Sequence, residues 1–460
     1  MPWPVVLAVA VAALTTFLLL RRHARRGLRV LDPASASMFY GASVPEAKVP
    51  NYCINVVMYF REMPPKERTL QVLQDELIGK HLEFRALPVQ TWKGLVWQEV
   101  PTKVEDHFVF SEVASEAELH KHIEGITSVD IRGYPNRLWE LHYIANPAGG
   151  RGVLLFRIEH CIGDGLSLMK LFIRLITDEA GQPFEMPTMR HRPVEGPQPG
   201  ALQKALRLLQ ALAASVDMTS GPADSFNPCC PWKGRIPVFC PRQSVVVIPR
   251  HRLELVKRIK DKAGATVNDV VFCCLAGALR RYFKARGVDP EGMERVRALV
   301  PFAFPKTSTR LCNSWAFVSV RVPVWEKTAK ERLEHTIQAW NALKQSYLAP
   351  VMLFITHFLT GLLPLVMTRA TATGTLLRHT VVVSNVPGPD RPVRVCGALL
   401  DEVQMIYRNL VPQVGLLSYN GELFGNFVVD PDVVPEAHTL PGYYLEELRA
   451  LAEAYGVEQP

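Results

Sequence analysis

The stretch Glu159-His160-Cys161-Ile162-Gly163-Asp164-Gly165 holds the residue types and spacing best suited to chemistry in this 460-residue chain. An imidazole titrates near neutrality, so His160 can take a proton from a hydroxyl and return it to a departing thiolate without a metal. Asp164, four residues on and brought back by a turn that Gly165 permits, can fix the loop through a salt bridge or hold the ring in one tautomer. The same pentad also fits a structural histidine closing a strand. Cys161 is a poor nucleophile here, because alternation turns it away from His160. Gly165-Leu166-Ser167-Leu168-Met169 lacks the second glycine of a serine nucleophile elbow.

The elements that must position these groups are legible around them. Val153 to His160 alternates with period two, placing Leu154, Phe156, Ile158 and His160 on one face and Arg157 and Glu159 on the other. After Gly165, Leu168, Leu171, Phe172, Leu175 and Ile176 recur at helical spacing. A strand, a turn at Asp164-Gly165 and an amphipathic helix are predicted. Further along, Thr266 and Asp269 ahead of an apolar run have the spacing of a capped helix start, which gives Asp269 a structural role. Asn268 beside it offers an amide that can line a site. Thr380 to Val383 reads as a buried strand that Pro387-Gly388-Pro389 must end.

Four segments in order resemble the wax ester synthase/diacylglycerol acyltransferase family of acyl-CoA:alcohol O-acyltransferases. The family's His-His-x-x-x-Asp-Gly signature stands here as Glu159-His160-x-x-x-Asp164-Gly165. Arg137-Leu138-Trp139 is similar to its Pro-Leu-Trp element, Asn268-Asp269-Val270-Val271 to its Asn-Asp-Val-Val element, and Ser384-Asn385-Val386-Pro387-Gly388-Pro389 to its C-terminal loop. The resemblance implies His160 as general base with Asp164 supporting it, Glu159 in place of the first His, and Gly165, Asn268, Ser384 and Asn385 lining the substrate site. It implies a structural Arg310 that pairs with Asp164. It also implies an α/β, two-lobed, chloramphenicol acetyltransferase-like fold of mixed sheets flanked by helices, with His160 on a tunnel between the lobes. Acyl-CoA is then the co-substrate, with no bound cofactor or metal, and a long-chain alcohol or diacylglycerol is the acceptor. A non-catalytic lipid-binding or tethering protein of the same fold, or an acyltransferase for a sterol or another small alcohol, is the alternative.

Composition bounds these readings. Hydrophobic residues make up 48% of the chain, enough for two buried cores. Of the +8 formal charge, five units come from Arg21, Arg22, Arg25, Arg26 and Arg29, ahead of the first acid, Asp32, so the rest carries +3. That excludes a polyanion-binding surface, and no zinc spacing or aromatic-basic repeat points to nucleic acid. Coenzyme A phosphates need a few local cations, and Arg280, Arg281, Lys284 and Arg286 are candidates. The nine cysteines include no Cys-x-x-Cys, which reads as a reduced, cytosolic body.

Val5 to Leu20 carries no charge and is followed by the arginines. The charges lie on the wrong side for a cleaved signal peptide, so residues 1–30 are expected to be an N-terminal membrane anchor. An endoplasmic reticulum anchor with a cytosolic body is the first reading; the mitochondrial outer membrane or a lipid droplet is the alternative. The expected organisation continues with an N-terminal lobe over 31–185, a proline-rich linker with a short helix over 186–240, and a C-terminal lobe over 241–460. Leu348 to Met367 is a second apolar stretch, read as a helix that is buried or dips into one leaflet. Asn420-Gly421 marks a hairpin turn.

Overall fold

The alternating run before His160 and the helical run after Gly165 form a strand and a helix. The computed structural model describes residues 29–41, 53–92, 94–146, 150–185, 200–231, 239–304, 310–359 and 365–458. The expected anchor ahead of Arg29, and residues 186–199 of the expected linker, lie outside the described residues. The described chain runs through α1 (Pro33–Gly41), β1 (Cys53–Phe60), α2 (Lys66–Val72), β2 (Ala86–Thr91), β3 (Gly94–Glu99), β4 (Phe108–Glu112), α3 (Glu116–Thr127), β5 (Trp139–Ala145), β6 (Gly152–Glu159), α4 (Gly165–Leu175) and β7 (Ile176–Thr177). It continues through α5 (Ala201–Ser220), β8 (Ser244–Arg252), α6 (Leu253–Ala263), α7 (Val267–Ala285), β9 (Arg297–Ala303), β10 (Trp315–Arg321), α8 (Ala329–Gln345) and α9 (Leu348–Phe354). Then come α10 (Leu365–Leu377), β11 (Val381–Pro387), β12 (Arg394–Val395), β13 (Ala398–Leu399), β14 (Glu402–Tyr407), β15 (Gln413–Tyr419), β16 (Glu422–Val429) and α11 (Leu440–Ala454).

Two mixed sheets carry the fold. The first has the order β14-β1-β6-β5-β4, and the second β10-β9-β11-β15-β16-β8. Strand β14 comes from the C-terminal half but pairs with β1, Ile54 opposite Tyr407, so the chain crosses between the sheets there. Residues 29–31 join the body as well, since Leu31 N donates to Leu95 O and Trp97 N to Arg29 O on β3. The β15–β16 hairpin turns on Asn420 and Gly421 with φ of 48° and 74°, the pair of positive angles a tight two-residue turn requires.

Each sheet buries apolar side chains on both faces, and the second packs under α7, α8 and α11. The charges buried between these helices are paired. Glu447 on α11 accepts from Arg332 Nε at 2.7 Å and lies within an ion pair of Arg281. The arginines proposed for coenzyme A are thus used within the fold: Arg280 donates to Val324 O at 2.8 Å, and Arg286 pairs with Glu436 at 3.3 Å.

One expectation is corrected. The helix after residue 200 is not short: α5 has 20 residues, because Ala, Leu, Gln, Lys and Arg dominate it and neither Gly nor Pro interrupts it. Of Leu348 to Met367, the described residues form α9, extended by a π turn over Ile355–Leu359, and the start of α10 from Leu365; residues 360–364 lie outside the described residues. Among the described residues no single helix is long and apolar enough to cross a membrane.

Gly277 on α7 lets Glu447 approach, since a Cβ there would lie 2.2 Å from the Glu447 side chain, whereas one at Gly125 on α3 would meet nothing within 4 Å. Gly277→Ala is expected to push Glu447 off its arginines and cost roughly 2–4 kcal/mol. Gly125→Ala should gain up to about 1 kcal/mol. Thermal melts of the two variants beside the parent check both signs.

Candidate active site

Strand β6 ends at Glu159, whose N–H donates to Leu138 O at 2.7 Å, so His160 is the first residue past the ladder. Asp164 then caps α4, its Oδ1 accepting from Ser167 N at 2.8 Å. Its Oδ2 accepts from Ser314 N at 2.7 Å, at the entrance to β10 of the second sheet. Ser167 Oγ donates to Cys312 O at 2.8 Å, and Asn313 Nδ2 donates to His160 O at 2.8 Å. Asn313 also reaches Ser35 Oγ at 2.9 Å, which ties in the first turn of α1. The segment Cys312-Asn313-Ser314 therefore clamps both ends of the His160 turn.

His160 faces a cavity of about 270 Å³ between the two sheets. Asp164, Gly165, Ser384 and Asn385 line it too, with Trp315 and Tyr407 packed on the imidazole at centroid distances of 5.8 and 5.7 Å. Burial pushes the His160 imidazole below its ordinary 6.5, opposed by the Asp164 and Asp32 carboxylates, so the ring is neutral at physiological pH. Its Nδ1 is buried with no hydrogen-bond partner among the described residues. Asp164 thus acts on the turn through backbone amides and does not fix the tautomer through Nδ1.

A second cavity of about 110 Å³ lies behind α4, lined by Met58, Leu73, Leu154, Phe156, Leu168 and Phe172 among other apolar side chains. Ile54, Gly165, Val386 and Met405 line both cavities, so the two meet beside His160.

The other expected residues divide. Asn268 is exposed and outside the cavity lining, but accepts from Asn385 Nδ2 at 2.7 Å. Asp269 forms a capping box with Thr266 at the start of α7. Arg310 borders a cleft with Arg29, Lys80 and Arg174. Glu159 lies off the cavity, buried beside Arg157, and burial pushes its carboxyl well above 4.5. Cys161 is buried in the core, where burial pushes its thiol well above 9.0.

Asn313, Trp315 and Tyr407 escaped sequence reasoning. Trp315 opens one ordinary strand and Tyr407 closes another, and nothing in their spacing reports the fold contact that brings them to His160.

A mixed α/β fold of two sheets, with a neutral histidine on a cavity between them, defines the class of two-lobed acyl-transfer and condensation folds. The wax ester synthase/diacylglycerol acyltransferase catalytic domain matches residues 78–226, and the WS/DGAT C-terminal domain matches residues 311–452. The chain belongs to this family of acyl-CoA-dependent O-acyltransferases. A putative diacyglycerol O-acyltransferase of Mycobacterium tuberculosis is 29% identical over 210 residues, 43% of this chain and 41% of that relative's length. The probable diacyglycerol O-acyltransferase tgs1 of the same organism is 26% identical over 335 residues, 67% of this chain and 70% of the relative. In solved structures, the wax ester synthase/diacylglycerol acyltransferase from Marinobacter aquaeolei VT8 superposes with a TM-score of 0.62 at 20% identity, covering 93% of this chain and 100% of the other. The TRI3 trichothecene 15-O-acetyltransferase from Fusarium sporotrichioides gives 0.59 at 12% identity, covering 93% and 94%.

Two substitutions test the turn. Asp164→Asn keeps one acceptor and sets an NH2 against a backbone amide, so stability should fall by about 1–3 kcal/mol together with activity. Glu159→Gln should raise stability and retain most of the activity. A carboxyl whose pKa is raised by folding contributes in full at low pH and loses that contribution as pH rises past 4.5. The amide has no such loss, so the gain in Tm over the parent should be larger at pH 8 than at pH 4.5.

Proposed function

We propose that this protein transfers a fatty acyl group from acyl-CoA to a long-chain alcohol or diacylglycerol, with His160 as general base. The observation that carries this is a neutral imidazole at the meeting point of two apolar cavities, one for each hydrocarbon chain. His160 accepts the acceptor's hydroxyl proton as its oxygen attacks the thioester carbonyl carbon. The tetrahedral intermediate collapses with loss of the C–S bond, and the proton passes from His160 to the thiolate, giving ester and coenzyme A. No acyl-enzyme is formed. Asp164 keeps the turn, and so the imidazole, in place. The family relatives named for diacylglycerol acyl transfer and wax ester synthesis support the choice of acceptor.

We read the protein as membrane-bound, with a single-pass endoplasmic reticulum anchor supplied by Val5 to Leu20 and its arginine flank. A fluorescently tagged full chain should colocalise with a reticulum marker and lose that pattern when residues 1–28 are removed. A mitochondrial pattern would move the anchor to the outer membrane.

His160→Ala should lower ester formation from labelled acyl-CoA and hexadecanol or diacylglycerol by roughly 10²–10⁴-fold, with an unchanged melt. In the parent, kcat/KM should fall on the acid side with a pKa below 6.5, because protonation removes the base and burial delays it. Parental rates in His160→Ala, or no ester from any alcohol offered, would replace this reading with the lipid-tethering one.

A further inference from the structure

Helix α5 has two apolar faces and uses one. At 3.6 residues per turn, Ala211, Ser215 and Met218 fall on one side and are buried against the body. Leu202, Leu206, Leu209, Leu212 and Val216 follow at spacings of four, three, three and four on another side. They are exposed, with Leu202 at 76% and Leu209 and Val216 each at 62%. Lys204 and Arg207 lie off that stripe, on the side of Ala211 and Ser215. The stripe itself is the apolar face that an interfacial helix presents. Helix α9 packs on α5, and its Phe354 stacks on Phe358 in the π turn at 5.0 Å, both rings exposed. So many large apolar side chains in one region form a surface that needs a partner.

The same helices frame the way into the His160 cavity. Met218 and Thr219 of α5, Met352 of α9 and Thr371 of α10 line it, and Thr371 is exposed, so the cavity reaches solvent beside the patch. Helix α1, the first after the uncharged N-terminal run, packs on the π turn and on α10.

We propose that the outer face of α5, with Phe354 and Phe358, inserts into the acyl-chain boundary of a phospholipid leaflet and sets the mouth of the His160 cavity against it. The acceptor then passes from bilayer to cavity without crossing water. Continuity of this uncharged apolar surface with an apolar cavity favours lipid over a protein partner. This rests on the reading that the acceptor is a lipid alcohol.

The test uses the full chain. A nitrobenzoxadiazole label on Leu209→Cys should brighten with phosphatidylcholine vesicles and be quenched by lipids carrying a doxyl group on the acyl chain. The same label on Lys262→Cys, exposed on α6, should not be. The native cysteines are buried apart from half-buried Cys312. The triple variant Leu206→Gln, Leu209→Gln, Phe358→Gln should lose about tenfold in rate with hexadecanol held in vesicles, yet keep its rate with hexanol in water. Equal quenching at both labels, or rates that fall together for both acceptors, would overturn the proposal. So would a Leu209 label shielded before lipid is added, which would assign the face to the N-terminal run or to a second copy. If the parent makes no ester at all, the acyl-transfer reading fails while the quenching still decides the docking.

Discussion

The Asp164 carboxylate accepts one amide from its own helix and one from the entrance to β10, so a single buried anion joins the His160 turn to the opposite sheet. Charge-assisted bonds of this kind contribute about 1.5–3 kcal/mol each in a dry site. Everything near the cavity follows from that join. With Ser314 fixed, Asn313 must lie under His160 O, and Trp315, next in the chain, must fall against the imidazole. The donors to Asp164 are backbone amides, which do not change rotamer, and the Asn313 and Ser167 side chains complete the hold on the turn.

The crossover of β14 supplies the other wall. Without it the first sheet would end at β1, leaving Ile54 on an edge and the imidazole open to water on that side. By pairing Tyr407 with Ile54, the crossover puts an aromatic ring on the histidine and moves the sheet edge outward from β1 to β14. The lowered pKa of His160 is therefore a product of topology, since the residues that dry it come from β10 and β14, far from it in sequence.

What was legible in the sequence was local. Period-two alternation into His160, helical spacing out of Gly165, the Thr266–Asp269 cap and the Asn420-Gly421 turn each report a preference that a few residues can satisfy among themselves. Ser384 and Asn385 were found through a resemblance, and they do line the cavity, while Asn268 reaches it only through Asn385. What no local pattern reports is contact across the fold: the Ser314 amide that meets Asp164 lies 150 residues further on. Asn313 gave no signal, since a polar residue before a strand is ordinary until the fold brings it under His160. The length of α5 was underread because its stripe of leucines does not face the core.

Glu159 and His160 show how the family signature tolerates its departure here. Burial acts on both, but in opposite directions on acid and base: it raises the carboxyl of one and lowers the imidazole of the other. The outcome is the same, because each favours its uncharged form. A strand end packed between two sheets cannot hold a bare charge at the first position, where Arg157 is already committed to Glu140 at 2.7 Å. Burial moves the imidazole and the carboxyl alike toward the form that meets that demand. The physical requirement at position 159 is neutrality and fit on the face turned from the cavity, whereas at 160 it is a basic nitrogen on the face turned toward it.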